Sequence, residues 1–240
     1  MNFFQKFGNE FKQNFFDDDR WLYLLKGLGI TMLVTVLALL FGLVLGFVVA
    51  IVRSTHDKVC TSKGGHVFLR IGNWLSKVYL TIIRGTPTMV QLMIIYFAIF
   101  ASVNVNKVFC AVLAFGINSG AYVAEIIRSG IMSIDNGQTE AGRSLGLNFP
   151  RTMTFIILPQ ALKNVLPALG NEFIVLLKET SISQIISLAD LTYAGNLIRS
   201  QTFSPFMPLI AVALIYLIIV MGLSKLLTLL ERRLAQNDKR

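Results

Sequence analysis

The sequence predicts an all-α membrane protein with five transmembrane helices, the N-terminus outside and the C-terminus inside. Three observations predict it. Of 240 residues, 54% are hydrophobic and the mean hydropathy is +0.65, too apolar for a soluble domain of ordinary composition. The apolar residues gather into runs long enough to cross a hydrocarbon core of about 30 Å. The basic residues behind the formal net charge of +9 sit between those runs and not in one patch. They read as topology signals and contacts with anionic lipid, and no nucleic-acid partner is expected.

Residues 1–26 mix aromatics with charge (FFQKF, FKQNFF, DDDRW) and predict an amphipathic helix lying on the surface, with Phe and Trp at headgroup depth. They are polar before the first long apolar run, unlike a short cleavable signal peptide. Asp17, Asp18 and Asp19 precede Arg20 and read as a solvated cap. The first span covers residues 28–52, with Gly42 and Gly46 as a small-xxx-small pair that permits close helix approach. Residues 53–84 carry Arg53, Lys58, Lys63, Arg70, Lys77 and Arg84 against one acid, Asp57, and are therefore placed inside. The second half of this segment has apolar residues at helical spacing and should lie along the membrane until RGTP, Arg84 to Pro87, turns the chain inward.

The second span covers residues 88–102 and the third residues 108–131. In the third, Asn118, Tyr122, Glu125 and Ser129 fall on a stripe about 60° wide when each residue turns the helix by about 100°. A charge in a span costs about 2.5–3.5 kcal/mol on insertion scales, so the stripe faces protein or water and not lipid. Two readings of Glu125 stay open: a salt bridge with Arg128 or a basic loop residue, and a place on a translocation path.

Residues 140–159 read EAGRSLGLNFPRTMTFIILP. TEAGRSL forms a helix with Ala141 and Gly142 on one side, and Gly146 stops it in the left-handed conformation. Asn148 caps a second helix, and Pro150 falls in its first turn, where no amide donor is needed. The expectation is helix, one-residue swivel, helix: a knob between two spans. The fourth span, residues 153–177, is interrupted by Pro159 and Pro167. Glu172 and Glu179 lie on one face, with Asn171 and Lys178 on the next. An ammonium needs an anion and a carboxylate needs a cation, and Glu172, Lys178 and Glu179 supply both signs. The other reading of Lys178 and Glu179 is a charge cluster at the outer surface. Residues 181–204 suggest an outer-side or re-entrant helix, and residues 206–226 the fifth span. The tail that follows, with Arg232, Arg233, Lys239 and Arg240, is placed inside.

Several chemistries lack their residues. Cys60 and Cys110 are isolated, with no disulfide framework or metal-ligand spacing, so no metal site is expected. His56 and His66 share one basic loop and form no Ser/His/Asp set. No GxxxxGK[ST] phosphate loop is present. No catalytic residue is assigned, and the chain is read as a non-catalytic subunit.

The knob resembles the EAA loop of ABC importer permeases, whose pattern is Glu-Ala-Ala, three residues, Gly, nine residues, then Ile-x-Leu-Pro. Glu140, Ala141, Gly146, Ile156, Leu158 and Pro159 fall on it, and Gly142 departs only by replacing the second Ala. RGTPTMVQL, AYVAEIIRSGI and GNEFIVLLKETSI are similar to segments of the polar amino-acid branch of that family. The resemblance covers residues 27–230 as a type I transmembrane permease domain, between the N-terminal segment and a basic cytoplasmic tail at 231–240.

That resemblance implies a multi-pass permease in a bacterial inner membrane, importing a polar amino acid. It implies a second permease subunit, identical or homologous, with which this chain encloses the path. It also implies a pair of ABC ATPase subunits docked on the knob through Glu140, Ala141, Gly142, Gly146, Leu158 and Pro159, and an external binding protein. ATP and Mg are then bound by the ATPase partner, and this chain needs no cofactor of its own. Asn118, Tyr122, Glu125, Glu172, Lys178 and Glu179 are the candidate path residues. The rival readings are a stand-alone secondary transporter or channel, and a structural membrane subunit of an enzyme complex. Against the first, no inverted repeat is evident; the second leaves the EAA spacing unexplained.

Overall fold

The computed structural model describes residues 3–59 and 67–237. Cys60, Lys63, His66, Lys239 and Arg240 lie outside the described residues. Every regular element described is helical. Helix α1 is Phe3–Phe15, α2 Trp21–Val59 and α3 Val67–Gly85. Helix α4, Thr88–Met93, runs on as a π-helical segment, Ile94–Ile99. Helix α5 is Lys107–Met132, α6 Asn136–Ser144 and α7 Phe149–Thr152. A second π-helical segment, Met153–Ile157, leads into α8, Leu158–Glu179. A 3₁₀ segment, Thr180–Ile186, precedes α9, Leu191–Thr202, and α10 is Met207–Asn237.

The fold is built on α5, which packs most extensively on α2. Apolar helices gain little from burying apolar surface in lipid, so their contact depends on close van der Waals approach at small residues. The predicted pair Gly42 and Gly46 makes that approach, and it meets a second pair, Gly116 and Gly120, on α5. A Cβ at Gly42 would lie 3.1 Å from the Gly120 nitrogen, and one at Gly46 2.6 Å from Val123 Cγ1 and 2.8 Å from the Gly120 oxygen. On its other side α5 receives α8, where a Cβ at Gly130 would collide with Val165. The buried core divides accordingly. One cluster gathers Val34, Ala38, Leu92, Phe115 and Leu176; another gathers Ala50, Val123, Ile131, Ile157 and Val165 beside α6 and α7.

Helix α1 is amphipathic, and it is also anchored. Asn14 is fully buried, donates to the Glu10 oxygen at 2.7 Å and accepts from Thr202 Oγ1 at 2.7 Å, so α1 is strapped to α9. Phe15 enters a cluster with Leu191, Ile198 and Val212. The three aspartates form a short 3₁₀ turn, Asp17–Asp19, in which Asp18 pairs with Arg20 at 2.6 Å.

Among the described residues, three helices are long and apolar enough to cross a membrane, spanning Asp17–Asp57, Lys107–Met132 and Met207–Leu234. The pair Val67–Gly85 and Thr88–Ile99 passes that test as one broken span, bent by 106° at the RGTP corner. Helix α8, on the expected fourth span, is not among them. Lys163, Asn164, Asn171 and Glu172 dilute its apolarity.

Candidate functional site

The knob is made by local hydrogen bonds. Asp135 Oδ1 accepts from the Gly137 nitrogen at 2.7 Å and starts α6. At its end the Leu147 nitrogen donates to the Gly142 oxygen at 3.0 Å and the Gly146 nitrogen to the Arg143 oxygen at 2.9 Å. This is a Schellman pair, with Gly146 in the left-handed position at φ +78°. Asn148 Oδ1 then accepts from the Arg151 nitrogen at 3.1 Å and caps α7, with Pro150 in the first turn.

Gly142, the one departure from the EAA pattern, is buried against the second arm. A Cβ there would lie 2.7 Å from Thr152 Cγ2 and 2.9 Å from its Oγ1. Replacing the pattern's alanine by glycine lets α6 and α7 close on each other. The outer surface of the knob is open: Glu140 and Ala141 are exposed, with Leu145 78% and Phe155 71% accessible. Exposed large apolar side chains beside charges are features of protein- or membrane-interaction surfaces. Leu158 is half-buried and Pro159 exposed at the start of α8. Two side-chain contacts reach α8, one from α6 of the knob and one from the C-cap of α5. Gln160 Nε2 donates to Gln138 Oε1 at 3.3 Å, and Asn164 Nδ2 to Ser133 Oγ at 3.0 Å.

The polar stripe of α5 faces the RGTP corner. Asn118 is buried and its Nδ2 donates to Gln91 Oε1 at 3.1 Å. Gln91 Nε2 closes the corner by donating to the Ile83 oxygen at 2.8 Å, the Thr86 oxygen at 3.1 Å and Thr86 Oγ1 at 2.8 Å. One turn on, the Tyr122 ring lies under the Arg84 guanidinium, 5.4 Å from the ring centroid. Glu125 is shared among arginines of three helices: Arg53 at 3.1 Å, Arg84 at 3.7 Å and Arg128 at 2.9 Å. Arg128 also reaches Asp57 at 3.5 Å. The stripe thus joins α2, α3 and α5 at one end of the bundle. Among the described residues, Ser129 bonds within its own helix, to the Ile126 oxygen at 2.9 Å.

Glu172 stands apart from that network. It is 9% exposed and accepts from Ser119 Oγ at 2.8 Å. Lys178 is exposed and Glu179 partly so at the far end of α8. The six candidate path residues therefore divide into a stripe at the corner and a carboxylate between α5 and α8, with two charges beyond it. Sequence reasoning passed over Gln91, Gln160 and Asn164. Gln91 stood inside a quoted motif, and the other two form an i,i+4 polar pair on a helix otherwise rich in apolar residues. Among the described residues, no group of three or more His, Cys, Asp or Glu side chains could hold a metal.

Residues 65–236 match the family described as binding-protein-dependent transport system inner membrane component. The chain is 37% identical over 218 residues to the arginine transport system permease protein ArtQ of Bacillus subtilis (strain 168), covering 90% of this chain and 94% of that protein. It is 40% identical over 214 residues to the glutamine transport system permease protein GlnP of Escherichia coli (strain K12), covering 88% and 92%. A crystal structure of an amino acid ABC transporter with histidines superposes with a TM-score of 0.78 at 42% identity, over 88% of this chain and 94% of that one. An inward-facing MetNI methionine ABC transporter shares the fold, with a TM-score of 0.71 at 17% identity over 89% of this chain and 97% of that one.

Proposed function

The chain belongs to the family of binding-protein-dependent transport system inner membrane components and is an amino-acid ABC transporter permease; from that premise we propose that it forms the path of an importer for polar amino acids. A second permease subunit, a copy or a homologue, completes the path. Five crossings leave the N-terminus outside and the C-terminus inside the bacterial inner membrane, with α8 as the fourth, polar-rich crossing between protein neighbours. A pair of separate ATPase subunits binds ATP and Mg and docks on the α6–α7 knob, and an external binding protein delivers the substrate. This chain carries no catalytic residue.

The single observation behind the coupling role is the knob itself: the EAA spacing folded into a Schellman-closed hairpin with Leu145 and Phe155 accessible at its surface. Closure of the ATPase pair favours one of two membrane conformations, and opening favours the other. Gln160, bonded to Gln138 of α6, passes the movement to α8. Along the path, Glu125 is already engaged by arginines. Glu172 is therefore the carboxylate assigned to the substrate ammonium, with Lys178 as the cation for its carboxylate and Asn118, Tyr122 and Glu179 elsewhere on the route. The relatives cited above are named as permeases, and none of them favours a stand-alone transporter.

The deciding experiment is ATPase activity of the complex held in nanodiscs with its candidate ATPase, as each amino acid and its binding protein are added. Stimulation by one polar amino acid supports both the importer and the substrate class. Failure to capture an ATPase removes the coupling role. Capture without stimulation by any amino acid removes the substrate class.

A further inference from the structure

Helix α3 carries two faces that the transport cycle proposed above does not use. At about 100° per residue, Phe68, Ile71, Leu75, Val78 and Ile82 fall on one stripe about 80° wide. Their exposures are 89%, 51%, 55%, 36% and 55%. The buried face, with Asn73, Ser76 and Leu80, lies roughly opposite. Arg70, Lys77 and Arg84, each seven residues from the next, form a basic ridge along its edge. Between ridge and apolar stripe sits Trp74, 63% exposed.

The ridge borders a cavity of about 530 Å³ lined by Arg53, Lys77, Thr81, Arg84 and Glu125. Glu125 is its one carboxylate against three cations. Arg53 and Arg84 share that carboxylate, while Arg70 and Lys77 make no ion pair among the described residues. Positive charge is left over at the mouth of the cavity.

We propose that this cavity and the apolar stripe of α3 together seat one anionic phospholipid. Its phosphate would accept hydrogen bonds from Lys77 and from the free edges of the Arg84 and Arg53 guanidinium groups. Its acyl chains would lie over Trp74, Val78 and Ile82. Guanidinium and ammonium groups pair with phosphate through charge-assisted hydrogen bonds. A soluble anion would satisfy the cavity but leave the apolar stripe uncovered. A neutral lipid would cover the stripe and leave the charge unbalanced; an anionic phospholipid does both. The 106° bend at RGTP sets α3 across the direction of α4, so the ridge and the apolar stripe turn away from the line of that helix. The seat does not depend on which side the N-terminus occupies.

The sequence holds two tryptophans, Trp21 and Trp74, so Trp21→Phe leaves Trp74 as the sole native reporter at the site. The full-length Trp21→Phe chain in nanodiscs is titrated with acyl-brominated phosphatidylglycerol or phosphatidylcholine at matched mole fractions. The anionic lipid should half-quench Trp74 at about fivefold lower mole fraction, the size of effect a basic side chain has near an anionic surface. Adding Lys77→Gln with Arg70→Gln should bring the two lipids to the same value. Lys77→Arg, which keeps the charge, should retain the preference and serves as the folding control. Equal quenching by both lipids, or a preference that survives the double substitution, would overturn the proposal. So would no quenching by either lipid, which would mean that protein, such as a second copy, covers the stripe. Loss of the preference on adding inorganic phosphate would equally overturn it, by assigning the cavity to a soluble anion.

Discussion

The α2–α5 seam and the α6–α7 knob both depend on glycine, for opposite reasons. In the seam, Gly42 and Gly46 meet Gly116 and Gly120 so that two long helices can approach each other's backbone. Ser119 and Val123, beside Gly42 and Gly46, are buried, and a Cβ at either glycine would also meet the backbone of Gly120. In the knob, Gly146 has nothing within 4 Å of a would-be Cβ, and its φ is +78°. There the need is conformational, and the surface around it is open. One region spends glycine on packing and holds the bundle. The other spends it on a turn and presents Leu145 and Phe155 outward. Damage to the seam should therefore cost stability, and damage to the knob should cost coupling to the ATPase.

The largest expected effect breaks the seam. Gly46→Val puts a branched side chain 2.6 Å from Val123 Cγ1 and 2.8 Å from the Gly120 oxygen. It should lose about 3 kcal/mol, at the upper end of overpacking costs, since the backbone oxygen cannot step aside. Thermal unfolding in detergent reads the loss. An unchanged melting temperature would mean that α2 and α5 do not meet at this face.

Next comes the swivel. Gly146→Val forces a β-branched residue into the left-handed region, at about 1–2 kcal/mol. Melting should fall less than for Gly46→Val, while amino-acid stimulation of the captured ATPase disappears. Gly146→Asn should recover much of that stimulation, because Asn tolerates the left-handed conformation. Wild-type stimulation in the valine variant would count against docking at the knob.

A smaller effect tests the closure between the knob's arms. Gly142→Ala restores the pattern's residue but sets a Cβ 2.7 Å from Thr152 Cγ2. Thr152 is 1% exposed and its Oγ1 has no hydrogen-bond partner among the described residues. The alanine should cost about 1 kcal/mol, and Thr152→Ala in the same chain should recover most of it. Additive losses would place the strain elsewhere.

The caps of the knob were legible because they are local chemistry. Gly146, Asn148 and Pro150 each act within a few residues of their position, and the hydrogen bonds expected of them are present. Helix positions were legible for a similar reason: apolar runs mark α2, α5 and α10 within a few residues of their observed ends or inside them. What faces what was not. Spacing put Asn118, Tyr122 and Glu125 on one stripe, but only the packing of α3 and α4 against α5 supplies Gln91 and Arg84 as their partners. Gly42 and Gly46 announced a close approach without naming Gly116 and Gly120. Gly142 read as a departure from a motif because Thr152, ten residues on, is brought back only by the Gly146 turn. Both readings of Glu125 began from the same residue, and the structure supplies the salt bridge with Arg128 and adds two arginines from other helices.

The smallest effect on stability is the sharpest test of the division between the two regions. Leu145 is 78% exposed, so Leu145→Ser removes almost no buried surface and should leave unfolding within about 0.5 kcal/mol of the parent. If the knob docks by its apolar tip, the same change removes an anchor from the ATPase contact. Amino-acid stimulation at limiting ATPase should then fall about tenfold, the scale of one interface hot spot. The two measurements on one variant separate what no seam substitution can, because a packing fault lowers melting and coupling together. A fall in both for Leu145→Ser would mean that the tip belongs to the bundle. A fall in neither would mean that the ATPase contact lies on the flank of α6, at Glu140 and Ala141. Loss of coupling alone is the result that only a docked tip produces.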